Sequence, residues 1–163
     1  MTFMRRSERR GLHLPLRRRE HMIIRPYEHD DETAVIDLWA RCGLARPWND
    51  PKKDIARKLL VRPDLFLVGI IDSQLVATAM AGYEGHRGWI NYLAVAPEQR
   101  RVGIAREIMA RAETLLREAG CPKINLQVRS TNSEVIEFYK RIGYAVDDVV
   151  SMGKRLIHDD ASQ

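Results

Sequence analysis

The stretch Tyr92-Leu-Ala-Val-Ala-Pro-Glu-Gln-Arg-Arg-Val-Gly-Ile-Ala105 joins an apolar run to a turn that contains glycine. The apolar residues that follow recur at helical spacing: Ile104, Ile108, Ala112, Leu115 and Ala119. They predict a long helix that ends at Gly120, so the stretch predicts a strand, a turn and a helix in that order. The N–H groups in the first turn of a helix have no partner inside it, and this junction is therefore suited to binding an anion.

The side chains of the turn favour the same function. Gly103 lets a ligand approach the main chain closely, and the small Ala105 keeps that approach open. Arg100 and Arg101 add positive charge beside the unpaired donors. The predicted ligand is a phosphate or a pyrophosphate, and the alternative is a plain connection with a glycine where the helix starts.

The sequence before this unit alternates between helical and strand patterns. The first strand pattern starts at Met22, with Ile23 and Ile24. Two helices and three strands are predicted after it: helices within residues 30–43 and 50–62, and strands at residues 65–71, 75–83 and about 89–95. The pair Asp50-Pro51 is typical of an N-cap followed by a first-turn proline.

The sequence after the long helix predicts a shorter helix between strands. Ile124, Leu126 and Val128 alternate as in a strand, and the next helix begins at Asn132 and stops at Gly143. Residues 144–157 predict one or two final strands. The whole order predicts a mixed three-layer α/β fold without internal repeats, in one domain over residues 22–163.

The excess of positive charge lies at one end of the chain. The 163 residues include 27 Lys and Arg against 22 Asp and Glu, a formal charge of +5. Residues 1–21 contain seven Arg and two Glu, so residues 22–163 are electrically balanced and are not expected to bind nucleic acid. The Arg-rich extension is expected to be a disordered, solvated tail. A targeting or nucleic-acid arm, and natural translation from Met22, are the alternatives.

Cysteine content and hydropathy exclude several other classes. Cys42 and Cys121 are too few for a disulfide framework and too isolated for a metal site, which favours a reducing, cytoplasmic location. The longest nearly continuous apolar run, residues 65–71, is about a third of the length that a membrane span requires. We therefore expect neither a bound metal nor a membrane-spanning segment.

The central unit resembles the GNAT superfamily of bacterial and other acetyl-CoA-dependent N-acetyltransferases. The matching positions are those of the V-x-P turn and the R-x-x-G-x-G/A loop: Val95, Pro97, Arg100, Gly103 and Ala105. A second element matches at residues 126–132, 138–139 and 143–144. Shorter motifs, such as residues 46–51, are similar to the YpeA-type acetyltransferases of bacteria. The resemblance implies a mostly antiparallel sheet of six to seven strands flanked by four helices.

The resemblance also implies residues for binding acetyl-CoA. The main chain of Leu93 and Val95 would bind the pantetheine arm as an added strand does. The pyrophosphate would be held by main-chain amides of the loop: Arg100, Arg101, Val102, Gly103, Ile104 and Ala105. Asn132 would contact the cofactor arm, while its alternative role is that of an N-cap. Many family members have glycine where Arg101 stands.

Catalytic roles follow less directly. In matching family members, the tyrosine that corresponds to Tyr139 protonates or hydrogen-bonds the departing thiolate, and the resemblance implies the same role for Tyr139. The alternative is that Tyr139 is only an aromatic residue of the core. Glu84 and His86 are the candidates for a general base, or are simply solvated loop residues. Several peptide N-terminal acetyltransferases have a glutamate where Gln127 stands, and an amide cannot accept a proton there.

These implications predict an acetyltransferase that moves an acetyl group from acetyl-CoA to a primary amine of a small molecule or peptide by direct attack. Trp48 and Asn49 lie in the loop that would overhang the acceptor, although Trp48 is equally suited to capping the core. The alternatives are a regulatory acyl-CoA-binding domain without turnover, a peptide or protein N-terminal acetyltransferase, and a nucleic-acid or membrane-surface binder acting through the Arg-rich extension. A homodimer is left open.

Overall fold

The middle strand of the sheet is buried along most of its length because helices cover both of its faces. The computed structural model describes residues 21–159. Its helices and strands, in chain order, are β1 (Ile23–Pro26), α1 (Glu32–Arg41), α2 (Pro51–Leu59), β2 (Phe66–Ile71), β3 (Gln74–Tyr83), β4 (Gly88–Val95), α3 (Ile104–Glu118), β5 (Ile124–Leu126) and α4 (Ser133–Arg141).

The sheet has the order β1-β2-β3-β4-β5, antiparallel except for the parallel pair β4 and β5. The hairpin between β2 and β3 closes through Asp72 and Ser73, which both have positive φ, as a type I′ turn requires. Helix α1 packs on β3 and β4, and α3 packs on β2, β3 and β4. The predicted α/β class, the mostly antiparallel sheet and the four helices are confirmed.

A chain of buried hydrogen bonds fixes α1 to the centre of the sheet. The indole N–H of Trp39 donates to the Thr78 hydroxyl at 2.9 Å, and that hydroxyl donates to the Tyr92 carbonyl at 2.8 Å. The Tyr92 ring stacks on Trp39 with 3.8 Å between centroids. The pairing of β3 with β4 is irregular between Thr78 and Met80, and Tyr92 opposite this irregularity has φ +49°. The polar chain therefore stabilises a bulge in β4.

Strands β4 and β5 separate soon after they meet. Strand β5 pairs only with Gly88, Trp89 and Ile90, at the start of β4. It ends at Leu126, two residues earlier than predicted. Within the described chain, residues 91–95 of β4 thus have no strand partner on that side, and we call this part of β4 the open edge.

The count of six to seven strands and the final strands predicted at residues 144–157 need correction. The described chain has five strands, and residues 144–157 contain none of them. Side chains rather than a backbone ladder attach this segment: Lys123 pairs with Asp147 at 2.6 Å, and the Gln127 amide donates to the Ser151 hydroxyl. Apolar residues of the segment are exposed, Val150 at 87%.

The extension predicted at residues 1–21 lies outside the described residues except for His21, as do residues 160–163 of the predicted domain. No helix within residues 21–159 is long and apolar enough to cross a membrane.

The role of the Thr78 hydroxyl is testable by unfolding. Thr78→Val keeps the shape but leaves the buried Trp39 N–H and Tyr92 carbonyl without this partner, so the free energy of unfolding should fall by about 2 to 4 kcal/mol. Thr78→Ser keeps the hydroxyl and loses one methyl group, about 1 kcal/mol. Urea denaturation of both variants makes the comparison, and a valine variant as stable as the serine variant would contradict the bridging role.

Candidate active site

The loop between β4 and α3 presents unpaired backbone donors. Arg101 and Gly103 both have positive φ, +63° and +89°, and α3 starts at Ile104 with no side chain capping its N-terminus. The N–H of Glu107 is the first to bond back to the loop, donating to the Gly103 carbonyl at 3.1 Å. Left-handed residues next to a helix start turn successive N–H groups toward one point. The loop therefore has the geometry of an anion site.

The two arginines of the loop point in different directions. The Arg100 Nε donates to the Val95 carbonyl at 3.2 Å, which folds this side chain back on the end of β4. Arg101 is 86% exposed and pairs with Glu134, in the first turn of α4, at 3.2 Å. Arg101 thus links the loop to α4, and Arg100 keeps positive charge between the loop and the open edge.

The open edge ends beside the loop. The Ala96 N–H donates to the Val76 carbonyl, and backbone groups alternate in direction along an antiparallel ladder, so those of Val95 point away from β3. The Val95 carbonyl accepts from Arg100 and from the Cys42 thiol at 3.3 Å. The Val95 carbonyl, which was predicted to bind the pantetheine arm, therefore already accepts hydrogen bonds from within the protein. The Leu93 backbone has no such side-chain partner among the described residues.

The structure places Asn132 and Tyr139 on α4. The Asn132 side chain caps the helix by accepting from the Val135 N–H at 3.3 Å. Tyr139 is buried and packs edge-to-face on Tyr144, with 5.5 Å between centroids. Its hydroxyl makes no hydrogen bond with another residue of the described range 21–159, and burial raises the pKa of Tyr139 to about 12. Tyr139 is thus a core aromatic that still presents an unused donor.

Tyr139 lines a cleft of about 1480 Å³ between β5, α4 and the segment 144–152. Gln127 and Ser151 stand in the same wall. The residues of the loop, 100–105, do not line the cleft. The Arg101–Glu134 pair connects the loop to the start of α4, and residues further along α4 line the cleft.

Glu84 and His86 lie at the exposed tip of the hairpin between β3 and β4. The Glu84 carboxylate accepts from the N–H groups of His86 at 2.9 Å and Arg87 at 2.6 Å, so it holds the turn. This tip is at the opposite end of β4 from Val95 and contacts the end of α3 through Tyr83, whose hydroxyl donates to the Gly120 carbonyl. The structure does not bring Glu84 and His86 together with Tyr139. The role of either residue as a general base stays a prediction.

The sequence does not reveal a polar cluster that forms around the Tyr92 side chain, next to the open edge. The Tyr92 hydroxyl donates to Asp54 Oδ2 at 2.6 Å, and Arg57 donates to Asp54 Oδ1 at 3.0 Å. Arg57 also binds Asp159 through both carboxylate oxygens. Only the i, i+3 spacing of Asp54 and Arg57 was visible in the sequence. We call Asp54, Arg57, Tyr92 and Asp159 the α2 cluster.

Two pKa shifts follow from these contacts. The hydrogen bond from Arg57, followed by that from the Asp50 N–H, holds the pKa of Asp159 far below its usual range. Burial raises the pKa of Tyr92, and the hydrogen bond to Asp54 raises it further. Tyr92 therefore remains a hydrogen-bond donor, and Asp159 a carboxylate, throughout the neutral pH range.

The loop between α1 and α2 lies beside this cluster. Asn49 accepts from Arg155 at 3.0 Å, so its amide is tied to the C-terminal segment. Trp48 is 48% exposed, which excludes it as a cap on the core. Within residues 21–159 no group of three His, Cys, Asp or Glu side chains is arranged to hold a metal ion.

Comparison with known proteins identifies the family. The acetyltransferase (GNAT) family model matches residues 24–144. A curated acetyltransferase of Pectobacterium atrosepticum is 50% identical over 138 residues, which are 85% of this chain and 98% of that protein.

Two solved structures share the fold. Aminoglycoside N-acetyltransferase AAC(6')-Iy, in complex with a CoA-containing bisubstrate analogue, has a TM-score of 0.69 at 18% identity and covers 83% of this chain and 99% of its own. The PaiA N-acetyltransferase of Thermoplasma acidophilum, in complex with coenzyme A, has a TM-score of 0.63 at 19% identity and covers 80% and 93%. The family match spans both the loop between β4 and α3 and Tyr139, and half of the aligned residues are shared with a curated relative. The chain belongs to the acetyltransferase (GNAT) family, and it is an acyltransferase enzyme.

Proposed function

We propose that this enzyme transfers an acetyl group from acetyl-CoA to a primary amine of a small molecule or peptide. The observation that carries the proposal is the uncapped start of α3, with left-handed Arg101 and Gly103, directly beside the open edge of β4. A ligand with a pyrophosphate and a long amide-containing arm matches both features. The two solved neighbours named above hold coenzyme A or an analogue that contains it.

The donor would bind with its pyrophosphate on the N–H groups of residues 100–105 and its arm along the open edge. Leu93 would supply its backbone groups there, while the Val95 carbonyl is shared with Arg100 and Cys42. The Asn132 amide nitrogen remains available while its oxygen caps α4. Cys42 and Cys121 are unpaired, which supports a reducing, cytoplasmic location for this chemistry.

Tyr139 would stabilise the departing sulfur. A thiol has a pKa of about 8.5, so a phenol with a pKa of about 12 stays protonated when the thiolate forms. Complete proton transfer from Tyr139 to that thiolate would be uphill by roughly 5 kcal/mol. The hydroxyl is therefore better suited to donating a hydrogen bond to the sulfur than to giving its proton away.

The acceptor class is testable by a screen. Purified full-length protein is incubated with acetyl-CoA, and free thiol is measured with amino acids, polyamines, aminoglycosides and short peptides as acceptors. Amine-dependent thiol release together with a mass increase of one acetyl group on the amine is expected. Binding of acetyl-CoA without thiol release in the presence of any amine would instead favour the regulatory acyl-CoA-binding domain. The presence of Gln127 in place of a carboxylate is consistent with that alternative.

The loop assignment predicts a loss of donor binding in Gly103→Val. Position 103 has φ +89°, which a β-branched residue adopts only with strain, and the added side chain stands where the phosphate would approach. The rise in melting temperature that acetyl-CoA causes should disappear. Gly43→Val is the matched control, since Gly43 has φ +69° in open space away from the loop. A normal shift in the Gly103 variant would remove the phosphate assignment.

The sulfur assignment predicts a loss of turnover in Tyr139→Phe. The ring keeps its packing while the unused hydroxyl is removed, so kcat should fall roughly 10²- to 10³-fold with little change in acetyl-CoA affinity or melting temperature. Tyr144→Phe is the control, because its hydroxyl bonds to Glu113 at 3.0 Å. Equal kinetics in the Tyr139 variant and the wild type would restrict Tyr139 to the core.

A further inference from the structure

Asp54 is a carboxylate whose hydrogen-bonding capacity is only partly used. It lies in the first turn of α2, and its side chain is 20% exposed. Each oxygen accepts one hydrogen bond, Oδ2 from Tyr92 and Oδ1 from Arg57. An ionised carboxylate has about four acceptor positions, so this one can accept further donors from the solvent side.

Tyr92 connects this carboxylate to the strand that would carry the acetyl donor. It stands in the bulge of β4, at the residue before Leu93 in the open edge. Its ring stacks on Trp39, and its hydroxyl donates a hydrogen bond to Asp54. The bulge therefore directs the Tyr92 ring from β4 toward α2, and the hydrogen bond fixes the Asp54 carboxylate beside β4.

The cation next to Asp54 does not neutralise it fully. Arg57 makes two hydrogen bonds to Asp159, whose side chain is 1% exposed, and only one to Asp54. Asp159 also accepts from the Asp50 N–H at 3.2 Å, so three of its roughly four acceptor positions are used within the protein. Of the two carboxylates that share Arg57, Asp54 is the one with both exposure and capacity for another positive or N–H donor.

We propose that Asp54 receives the amine of the acceptor, with Tyr92 as its positioning residue. The proposal rests on the proposed acetyl transfer and deepens it, because it names the side chain that orients the nucleophile. The substrate class is a primary amine that is cationic when free in solution. A charge-assisted N–H hydrogen bond to the carboxylate would hold the nitrogen while its lone pair faces the thioester.

The chemistry balances with the groups present. The acceptor ammonium first loses one proton to water, and the resulting neutral amine donates an N–H hydrogen bond to Asp54. Its lone pair then forms the C–N bond at the thioester carbonyl carbon, while the π electron pair of the carbonyl moves onto oxygen. Nitrogen thereby becomes positively charged and passes one proton to Asp54. The C–S bond then breaks, the thiolate leaves with the electron pair beside the Tyr139 hydroxyl, and the proton held by Asp54 is released to water. The products are an amide and coenzyme A.

The test uses the full chain, acetyl-CoA and spermidine as the probe amine. Asp54→Asn should reduce spermidine-dependent thiol release roughly 10²- to 10⁴-fold while the thermal shift caused by acetyl-CoA is unchanged. Asp64→Asn is the matched control, since Asp64 also pairs with an arginine, Arg62, but lies on the surface away from β4. Tyr92→Phe keeps the stacked ring and loses the hydroxyl, so kcat should fall while the KM for acetyl-CoA stays constant.

A second measurement requires no turnover and no native acceptor. In the protein saturated with coenzyme A, the carboxyl ¹³C resonance of Asp54 is identified by its loss in Asp54→Asn. Spermidine should move this resonance saturably, and Tyr92→Phe should weaken that response. A resonance that does not respond to spermidine overturns the proposal, and so does normal thiol release in a folded Asp54→Asn enzyme.

The outcomes separate this proposal from the proposed function. If acetyl-CoA causes no thermal shift in the wild-type protein, the donor assignment fails before Asp54 is tested. If acetyl-CoA binds and thiol is released, but Glu84→Gln or His86→Asn removes activity and Asp54→Asn does not, acetyl transfer stands and the base belongs to the hairpin tip.

Discussion

The bulge in β4 is the constraint on which the rest of this structure depends. A bulge bends its strand and increases the local twist, and here it follows the last residue of β4 that pairs with β5. The Thr78 hydroxyl satisfies the Tyr92 carbonyl that the irregular register leaves out of the ladder. Because the same hydroxyl accepts from Trp39, α1 and the distorted strand are fixed by one buried side chain. Neither the open edge nor the direction of Tyr92 would exist in a regular β3–β4 ladder.

The bulge also determines what each half of β4 can do. Before it, Gly88 to Ile90 are paired on both sides and belong to the sheet. After it, the strand ends at a turn whose Pro97–Gln99 helix leads into the anion-binding loop. The ion pair between Arg41 of α1 and Glu98, 2.5 Å long, holds this turn from the same face as Trp39. Helix α1 thus contacts both the bulge and the turn that leads into the loop.

The sequence predicts well those features that are encoded locally. Gly103 before a long amphipathic helix and the Asp50-Pro51 cap each depend on residues close together in the chain, and both are found where expected. The missing features depend on distant residues. Asp159 meets Arg57 across 102 positions, and Tyr92 meets Asp54 across 38, with no periodicity to indicate either contact.

For the segment 144–157, the sequence predicts strands that the structure does not contain. Its apolar residues are typical of strands, but a strand also requires a neighbouring backbone at hydrogen-bonding distance, and the sequence pattern carries no information on that. Side-chain contacts through Asp147 and Ser151 hold the segment beside β5 instead. The segment therefore lines the cleft beside β5 without closing it. Tyr139 lines the same cleft, and its hydroxyl has no hydrogen-bond partner in the described chain.

The distribution of charge along β4 gives the site its direction. Residues 22–163 are neutral as a whole, yet the unpaired N–H groups and Arg100 lie at the end of β4, whereas Asp54 is bound by Tyr92, which stands three residues, roughly 10 Å, before Val95 in the strand. Solvent-exposed charges farther apart than the Debye length, about 8 Å at physiological ionic strength, are largely screened from each other. In the proposed binding mode, an anionic donor and a cationic amine would be attracted to different positions along β4. The acceptor would then not have to displace the phosphates, and the two ligands would meet at the open edge between them.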